Sequence, residues 1–375
     1  MRRRGWSVTR IDGLAPRGSA QPVLAQHPSL TPDDAPLARL TRAATLLSRV
    51  DPVLSAVLRP HGRVQLADPE RAHAVCARLP RDWAEPIDAA QASARAGIAL
   101  RRGGWWLPSA GSADPDALRE AWSDGRLDRR TGVDVACLAR RGDRWAALDA
   151  EGATLADAPV AVIAPGSHPL PLRLSDDMRP GELAAQLGPA GLHRRAGLTT
   201  VAALPAGAVP RCTVGGDGHA VPVDATRLLL GPPGTPEDDD ADTSDADTAD
   251  RAWARWAASL AAPPPAPRLL PGRRGERLST RDHLPLVGPV PDLAAIDTLR
   301  RAGAARDDRL ALPALDGLWL VGAFGGRGLL WSVLAAELIA SRLDGEPAPL
   351  ERELARRLEP DRFLRQALRR PDTSD

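Results

Sequence analysis

Between Leu318 and Leu343 the chain reads "LWLVGAFGGRGLLWSVLAAELIASRL". A short apolar run enters a turn holding Gly322, Gly325, Gly326 and Gly328, and an apolar-periodic segment leaves it. Strand, glycine turn and helix in that order demand a βα unit. Glycines let backbone approach a ligand closely, and a helix start presents N–H groups and a positive dipole end. These are the parts of a nucleotide site. In a dinucleotide-binding fold the main glycine loop lies in the first βα unit. Here the turn lies near the end of the chain, and no G-x-G-x-x-G opens it.

The other end offers a partner. "RRRGWSVTRID" reads as the last turn of a helix, a stop at Gly5, and a strand from Trp6 to Ile11 ending in Asp12. An acid at the end of a second strand is where a dinucleotide fold holds the adenosine ribose. The glycine loop belongs about 20 residues upstream of that acid, so the expected first strand and loop precede Met1. Taken alone, Asp12 is an ordinary strand-end acid.

The 375 residues suffice for one large or two interleaved domains. All 49 basic residues are Arg, and Lys, Asn and Tyr are missing, as a GC-rich coding sequence would produce. Cys76, Cys137 and Cys212 are too scattered for a metal site or a disulfide framework. No H-x-x-x-H, C-x-x-C or Walker loop occurs, so no metal is expected. Neither a signal peptide nor a run of about 20 apolar residues is present, and a cytoplasmic protein without a membrane partner is expected. Net charge is +1, but residues 237–250 hold 8 of the 48 acids and no base. The remaining body is therefore basic, compatible with a nucleic-acid partner or with a solvated Arg-rich surface.

Residues 36–58 carry apolar positions at helical spacing. Residues 132–166 read as a β-meander whose last strand ends at Pro165–Gly166, and 208–234 as a strand pair around a Gly-rich turn. The acidic stretch and "AAPPPAP" (261–267) read as surface loops. After Leu350 the pattern is helical, charged and frayed at the end. The pieces assemble into an α/β chain: a discontinuous Rossmann-like domain (1–60, 130–170, 275–375) with an inserted antiparallel-sheet domain (61–129, 171–274) carrying the acidic loop 236–250.

"GERLSTRDHLPLVGPVPD" (Gly275–Asp292) is the most specific text in the chain. With the "GAFGGRGLLW" turn and the tail "LEPDRFLRQALRR" it resembles the D-amino-acid-oxidase-like flavoproteins. More narrowly, it is similar to the FAD-dependent oxidoreductase domain of tRNA 5-methylaminomethyl-2-thiouridine biosynthesis proteins. "RRGWSVTRID", "GGWWLPSAG" (103–111) and "VIAPGSHP" (162–169) fit the same family, and the resemblance covers almost the whole chain.

The resemblance implies FAD as cofactor and a tRNA substrate whose N-substituted glycine arm is oxidised. It places Arg277 on the substrate carboxylate, a task suited to a planar guanidinium that binds two oxygens at once. Arg327 becomes a second cation near flavin or substrate, and Gly322, Gly325, Gly326, Gly328 and Leu329 lie along the flavin ring. Val135 offers backbone groups to the adenine, while Asp12 and Gly166 line the rest of the cofactor. The plainer alternatives are a salt bridge for Arg277, a surface contact for Arg327 and an ordinary strand valine for Val135. Asp282 and His283 either brace the motif loop or serve catalysis. His219 stands in "GDGHAVP" where the family carries Tyr over the substrate, and an exposed turn histidine is the plainer alternative. Three departures stand out: the missing phosphate loop, "RRAGL" (194–198) without the family's Gln, and "GPPG" (231–234). The family's fused methyltransferase is also missing, which implies a separate S-adenosylmethionine-dependent enzyme. A small-molecule amine oxidase of the same fold and a non-catalytic remnant remain as alternatives.

Overall fold

The structure is a computed structural model that describes residues 4–13, 21–123, 127–167, 173–174, 191–231, 244–262, 266–302 and 311–369. The parts of the acidic stretch, of "GPPG" and of "VIAPGSHP" at 236–243, 232–234 and 168–169, and residues 370–375, lie outside them.

Near the C-terminus a three-stranded sheet joins Ala161–Ile163, Ala314–Gly322 and Leu286–Pro291. Ala161–Ile163 runs parallel to Ala314–Gly322, and Leu286–Pro291 runs antiparallel to it. Alternation sorts the central strand's side chains. Leu318 and Leu320 pack toward the Cys137–Ala158 meander with Leu138, Trp145 and Phe363. Trp319 and Val321 face the helices Pro36–Val50 and Gly328–Leu343, meeting Leu40, Leu330, Trp331 and Leu334. The sheet thus lies between a helical layer and a β layer. Each large buried side chain contributes about 1.5–3 kcal/mol. Thr9–Asp12 forms a separate parallel pair with Asp128–Thr131.

Eight strands make the large sheet, in the order Arg268–Ser279, His193–Ala203, Arg227–Gly231, His219–Pro222, Thr213–Gly215, Arg63–Leu66, Gly104–Leu107, Glu85–Ile87. All its pairings are antiparallel except that of Thr213–Gly215 with Arg63–Leu66. One face is apolar: Val64, Leu66, Val214, Ala220, Leu228 and Leu230 are covered by the helices Ala89–Ala96 and Asp245–Ala258. The other face carries Arg63, Gln65, Thr213, Gly215 and His219.

Two expectations are corrected. The helix expected over 36–58 is two helices, Pro36–Val50 and Pro52–Val57, followed by the strand Leu58–Pro60. Asp51 turns extended (ψ 116°) ahead of Pro52, whose ring disfavours helical backbone in the residue before it, and its carboxylate caps the second helix through the N–H groups of Val53 and Leu54. Residues 245–250 are not loop but the start of the Asp245–Ala258 helix. The Ser244 hydroxyl accepts from the Asp247 N–H, and Asp245 and Asp247 complement the dipole in the first turn. Acidity there marks a helix start, and Trp256 on the same helix is buried in the sheet's apolar face.

Candidate active site

The glycine turn docks on the end of the long strand Arg268–Ser279. The Gly325 N–H donates to the Leu278 carbonyl at 2.9 Å, and Phe324 bridges to Ser279. Gly325 is left-handed (φ +54°), and a Cβ there would meet the Ser279 hydroxyl at 2.9 Å. A Cβ on Gly326 would lie 3.4 Å from Arg277 Nη1, which sets the guanidinium alongside the turn. Ala323 is also left-handed, at φ 57°, an uncommon state for a residue with a Cβ. The Gly328–Leu343 helix then starts with no side chain capping it, which leaves its first amides and positive end for a ligand.

A ring of cations continues from there. Arg327 donates from Nη2 to the Ser29 hydroxyl at 3.1 Å, while its buried Nε has no partner among the described residues. Two residues before Ser29, the His27 ring lies 6.0 Å from that of His219. His219 Nδ1 is 3.1 Å from Arg63 Nη1. Arg63 is only 6% exposed and also donates from Nε and Nη2 to Gln65 Oε1, at 3.1 and 2.6 Å. It lies flat over Gly215, where a Cβ would sit 1.8 Å from Nη2. The charge of Arg277 acts on His219 as well. The ring therefore runs Arg277, His219, Arg63, His27, Ser29, Arg327 and back through Gly326.

Burial and these cations set the protonation states. The His219 imidazolium is disfavoured by burial and then by Arg63 and Arg277, which lowers its pKa to about 3. His27 is held well below the ordinary histidine value by burial, Arg63 and His219. Both rings are neutral at neutral pH. Because guanidinium only donates, Nδ1 of His219 is the acceptor and its proton sits on Nε2. Arg63 is lowered to about 10 by burial and by the charge of Arg327, and Arg327 is lowered by burial; at neutral pH both remain charged. No Asp or Glu among the described residues forms an ion pair with Arg63 or Arg327. Such a ring is built to receive an anion.

The structure thus brings together Arg277, Arg327, His219 and the glycine turn. His219 is not an exposed turn residue: it opens the strand His219–Pro222 and is partly buried against Arg63. Pro165 touches the space beside Gly322, so the Pro165–Gly166 turn and the glycine turn lie together at the carboxyl ends of parallel strands; ligands bind at that end of such sheets. Gly166 is left-handed with open space around it. Leu329 sends its side chain into the core with Leu54, Ala113 and Leu118, leaving only its backbone toward a ligand. Asp12 ends its strand as expected, and its carboxylate is held by Arg10 at 2.8 Å and Arg129 at 3.2 Å. Val135 lies outside any strand, between Thr131 and Cys137, packed against the meander core.

Asp282 braces the motif loop. It accepts from the Thr280 hydroxyl, the Leu284 N–H and Arg362. Burial alone would raise its pKa, but Arg362 and Thr280 hold it below the ordinary value. His283 stays exposed in a left-handed conformation (φ 58°), 6.1 Å from the ring of His193.

Arg63, His27 and Gln65 are absent from the sequence-level candidates. The "RVQL" alternation (63–66) puts Arg63 and Gln65 on one face, and that was the available signal.

The flavin-ring end of an FAD site fits these residues: a left-handed glycine turn, an uncapped helix start and the orphaned Nε of Arg327. Residues 2–342 match the sequence model of the family described as "DAO: FAD dependent oxidoreductase". Curated relatives named "tRNA 5-methylaminomethyl-2-thiouridine biosynthesis bifunctional protein MnmC" align over 98% of the chain. That of Burkholderia multivorans is 37% identical and that of Ralstonia nicotianae 38%. The chain spans only 57% and 58% of their lengths. Among solved structures, glycine oxidase from Geobacillus kaustophilus superposes with TM-score 0.65 at 18% identity, covering 96% of this chain and 93% of that one. L-proline dehydrogenase from P. horikoshii superposes with TM-score 0.69 at 13% identity, covering 97% and 93%. These two establish the fold. Among the described residues no helix is long and apolar enough to cross a membrane, and no group of three metal-ligating side chains occurs.

Proposed function

The chain belongs to the family of FAD-dependent oxidoreductases, and on that premise we propose that it oxidises the carboxymethylaminomethyl group of wobble uridine in tRNA. The products are 5-aminomethyl-(2-thio)uridine and glyoxylate. The observation that carries this reading is the 36–38% identity to curated tRNA-modifying relatives along 98% of the chain.

Bound FAD supplies a two-electron acceptor for the hydride on the carboxylate-bearing carbon. Arg277 holds the glycine-arm carboxylate, fixing which C–H faces the cofactor. Neutral His219 offers a proton on Nε2 as a hydrogen-bond donor, and its depressed pKa keeps it from adding a further charge at neutral pH. The Gly322–Gly328 turn and the uncapped start of the helix behind it would hold the flavin ring, the helix end favouring negative charge there. The CH–NH bond becomes C=N as the hydride leaves and the amine loses its proton. Water then adds to the imine, and C–N cleavage releases glyoxylate and the primary amine. Residues 1–60, 130–170 and 275–375 form the cofactor side, and 61–129 and 171–274 the substrate side. Asp12, Val135 and Gly166 serve the remainder of FAD. The protein works in the cytoplasm, and S-adenosylmethionine-dependent methyl transfer to the primary amine completes the methylaminomethyl group.

The test is nucleoside mass spectrometry of carboxymethylaminomethyl-bearing tRNA incubated with the FAD-loaded protein. Equal amounts of aminomethyl-uridine and glyoxylate are expected. Unchanged tRNA alongside rapid turnover of glycine or sarcosine would replace the reading with a small-molecule amine oxidase.

A further inference from the structure

Arg63 stands apart from the residues assigned above. It lies on the large sheet, it is 6% exposed, and its hydrogen-bond partners among the described residues are neutral, Gln65 and His219. The largest charge effect on it comes from another cation, Arg327, whose own Nε is buried without a partner among the described residues. A buried guanidinium without an acid is costly unless an anion arrives to meet it. Gly215 leaves room for it to lie against the strand, and a methyl group there would collide with Nη2. In the segment that carries His27, a second buried group lacks partners: Gln26, 1% exposed, has neither amide oxygen nor nitrogen hydrogen-bonded among the described residues. It immediately precedes His27, whose ring meets that of His219.

We propose that Arg63 is a further anion-binding residue of the pocket, acting with Arg327 on the carboxylate of the ligand. This rests on the reading that the pocket takes a glycine-type carboxylate, and it adds the residue that gives the pocket its excess charge. A small carboxylate satisfies the ring because it brings one negative charge and two acceptor oxygens into a space bounded by fixed donors. His219 then serves Arg63 as a neutral acceptor that fixes the guanidinium plane.

The experiment is thermal stability and calorimetric binding of glycolate, a carboxylate without an oxidisable CH–NH bond, on the FAD-loaded full chain. Sodium chloride at matched ionic strength is the control. Glycolate stabilises the wild type more than chloride does. R63M keeps the melting temperature of the ligand-free protein at or above wild type, because an uncompensated buried cation is gone. It weakens glycolate binding by about tenfold to a hundredfold, the equivalent of one charge-assisted hydrogen bond. If R63M does not fold, R63Q, neutral and polar, is judged on the same affinity. Wild-type affinity in the neutral variant, or equal stabilisation by glycolate and chloride, overturns the proposal. Neither result depends on tRNA turnover, so failure here and failure of the tRNA reading remain distinguishable.

Discussion

Arg362 and Arg63 are buried alike, 8% and 6% exposed, and do opposite things. Arg362 binds Asp282 through Nε at 2.9 Å and Nη2 at 3.0 Å. It also donates to the carbonyls of Leu284, Pro285, Leu358 and Glu359, and it lies 4.2 Å from the Phe363 ring centre. Burial and the charge of Arg281 oppose the cation, but Asp282, Asp361 and four carbonyls meet it, so the C-terminal segment is bolted to the "STRDHLP" loop. Among the described residues Arg63 has only neutral hydrogen-bond partners, and the cation Arg327 acts on it. Burial alone therefore does not distinguish a structural arginine from a ligand-binding one; the sign of the surrounding charge does.

The contrast can be broken most severely at Arg362. R362M takes the donors from the Leu284, Pro285, Leu358 and Glu359 carbonyls and the cation from the solvent-screened Asp282, and a loss of about 2–4 kcal/mol of stability is expected by chemical denaturation. A loss under about 1 kcal/mol would remove the clasp from the account.

Acid is the next largest effect. The folded pKa of His219 is about 3, below the ordinary histidine value near 6.5. The unfolded chain therefore binds the proton first, and stability present above pH 6.5 is lost as pH falls toward 3. For this histidine the loss is about 2 kcal/mol at pH 5. H219Q should remove that part of the slope in a pH series of denaturation midpoints, and an unchanged slope would mean that the ring is protonated in the folded state.

Gly215→Ala sharpens the other half of the comparison. The added methyl must displace the guanidinium of Arg63, at Nη2 and Cζ, together with Gln65 Oε1, all ends of side chains. The expected result is glycolate affinity resembling that of R63M with a stability change of about 1 kcal/mol or less. Full affinity in a folded G215A protein would show that the position of Arg63 is immaterial. The smallest effect on stability belongs to Gly326→Ala, because its Cβ would only brush Arg277 Nη1 at 3.4 Å. Any change should show in turnover before the melting temperature, since the group it touches is the one assigned to the substrate carboxylate.

The sequence carried the fold through local signals with few competitors. A strand, four glycines and an apolar helix at 314–343 admit little else, and the Gly275–Asp292 run named the family. Arg277 and Arg327 were legible because they sit in those texts, and His219 because it stands in "GDGHAVP" where the family resemblance puts a Tyr. Arg63 was not, because alternation tells which face a side chain takes but not what packs over it; the glycine turn and the Leu24–Gln26 segment come from distant parts of the chain. The break at Asp51 lay in the dipeptide Asp51–Pro52, which caps a second helix as readily as it ends a first. The helical start at Asp245–Asp250 was hidden by composition: the same acids that suggest a solvated loop favour a helix N-terminus once Trp256 has a core to enter.

The most direct measurement follows the visible flavin band of the FAD-loaded protein mixed anaerobically with carboxymethylaminomethyl-bearing tRNA. The account expects the band to bleach in the wild type and to persist in R277M that still retains flavin. A retained flavin that this tRNA does not bleach, or bleaching in R277M at the wild-type rate, would contradict it.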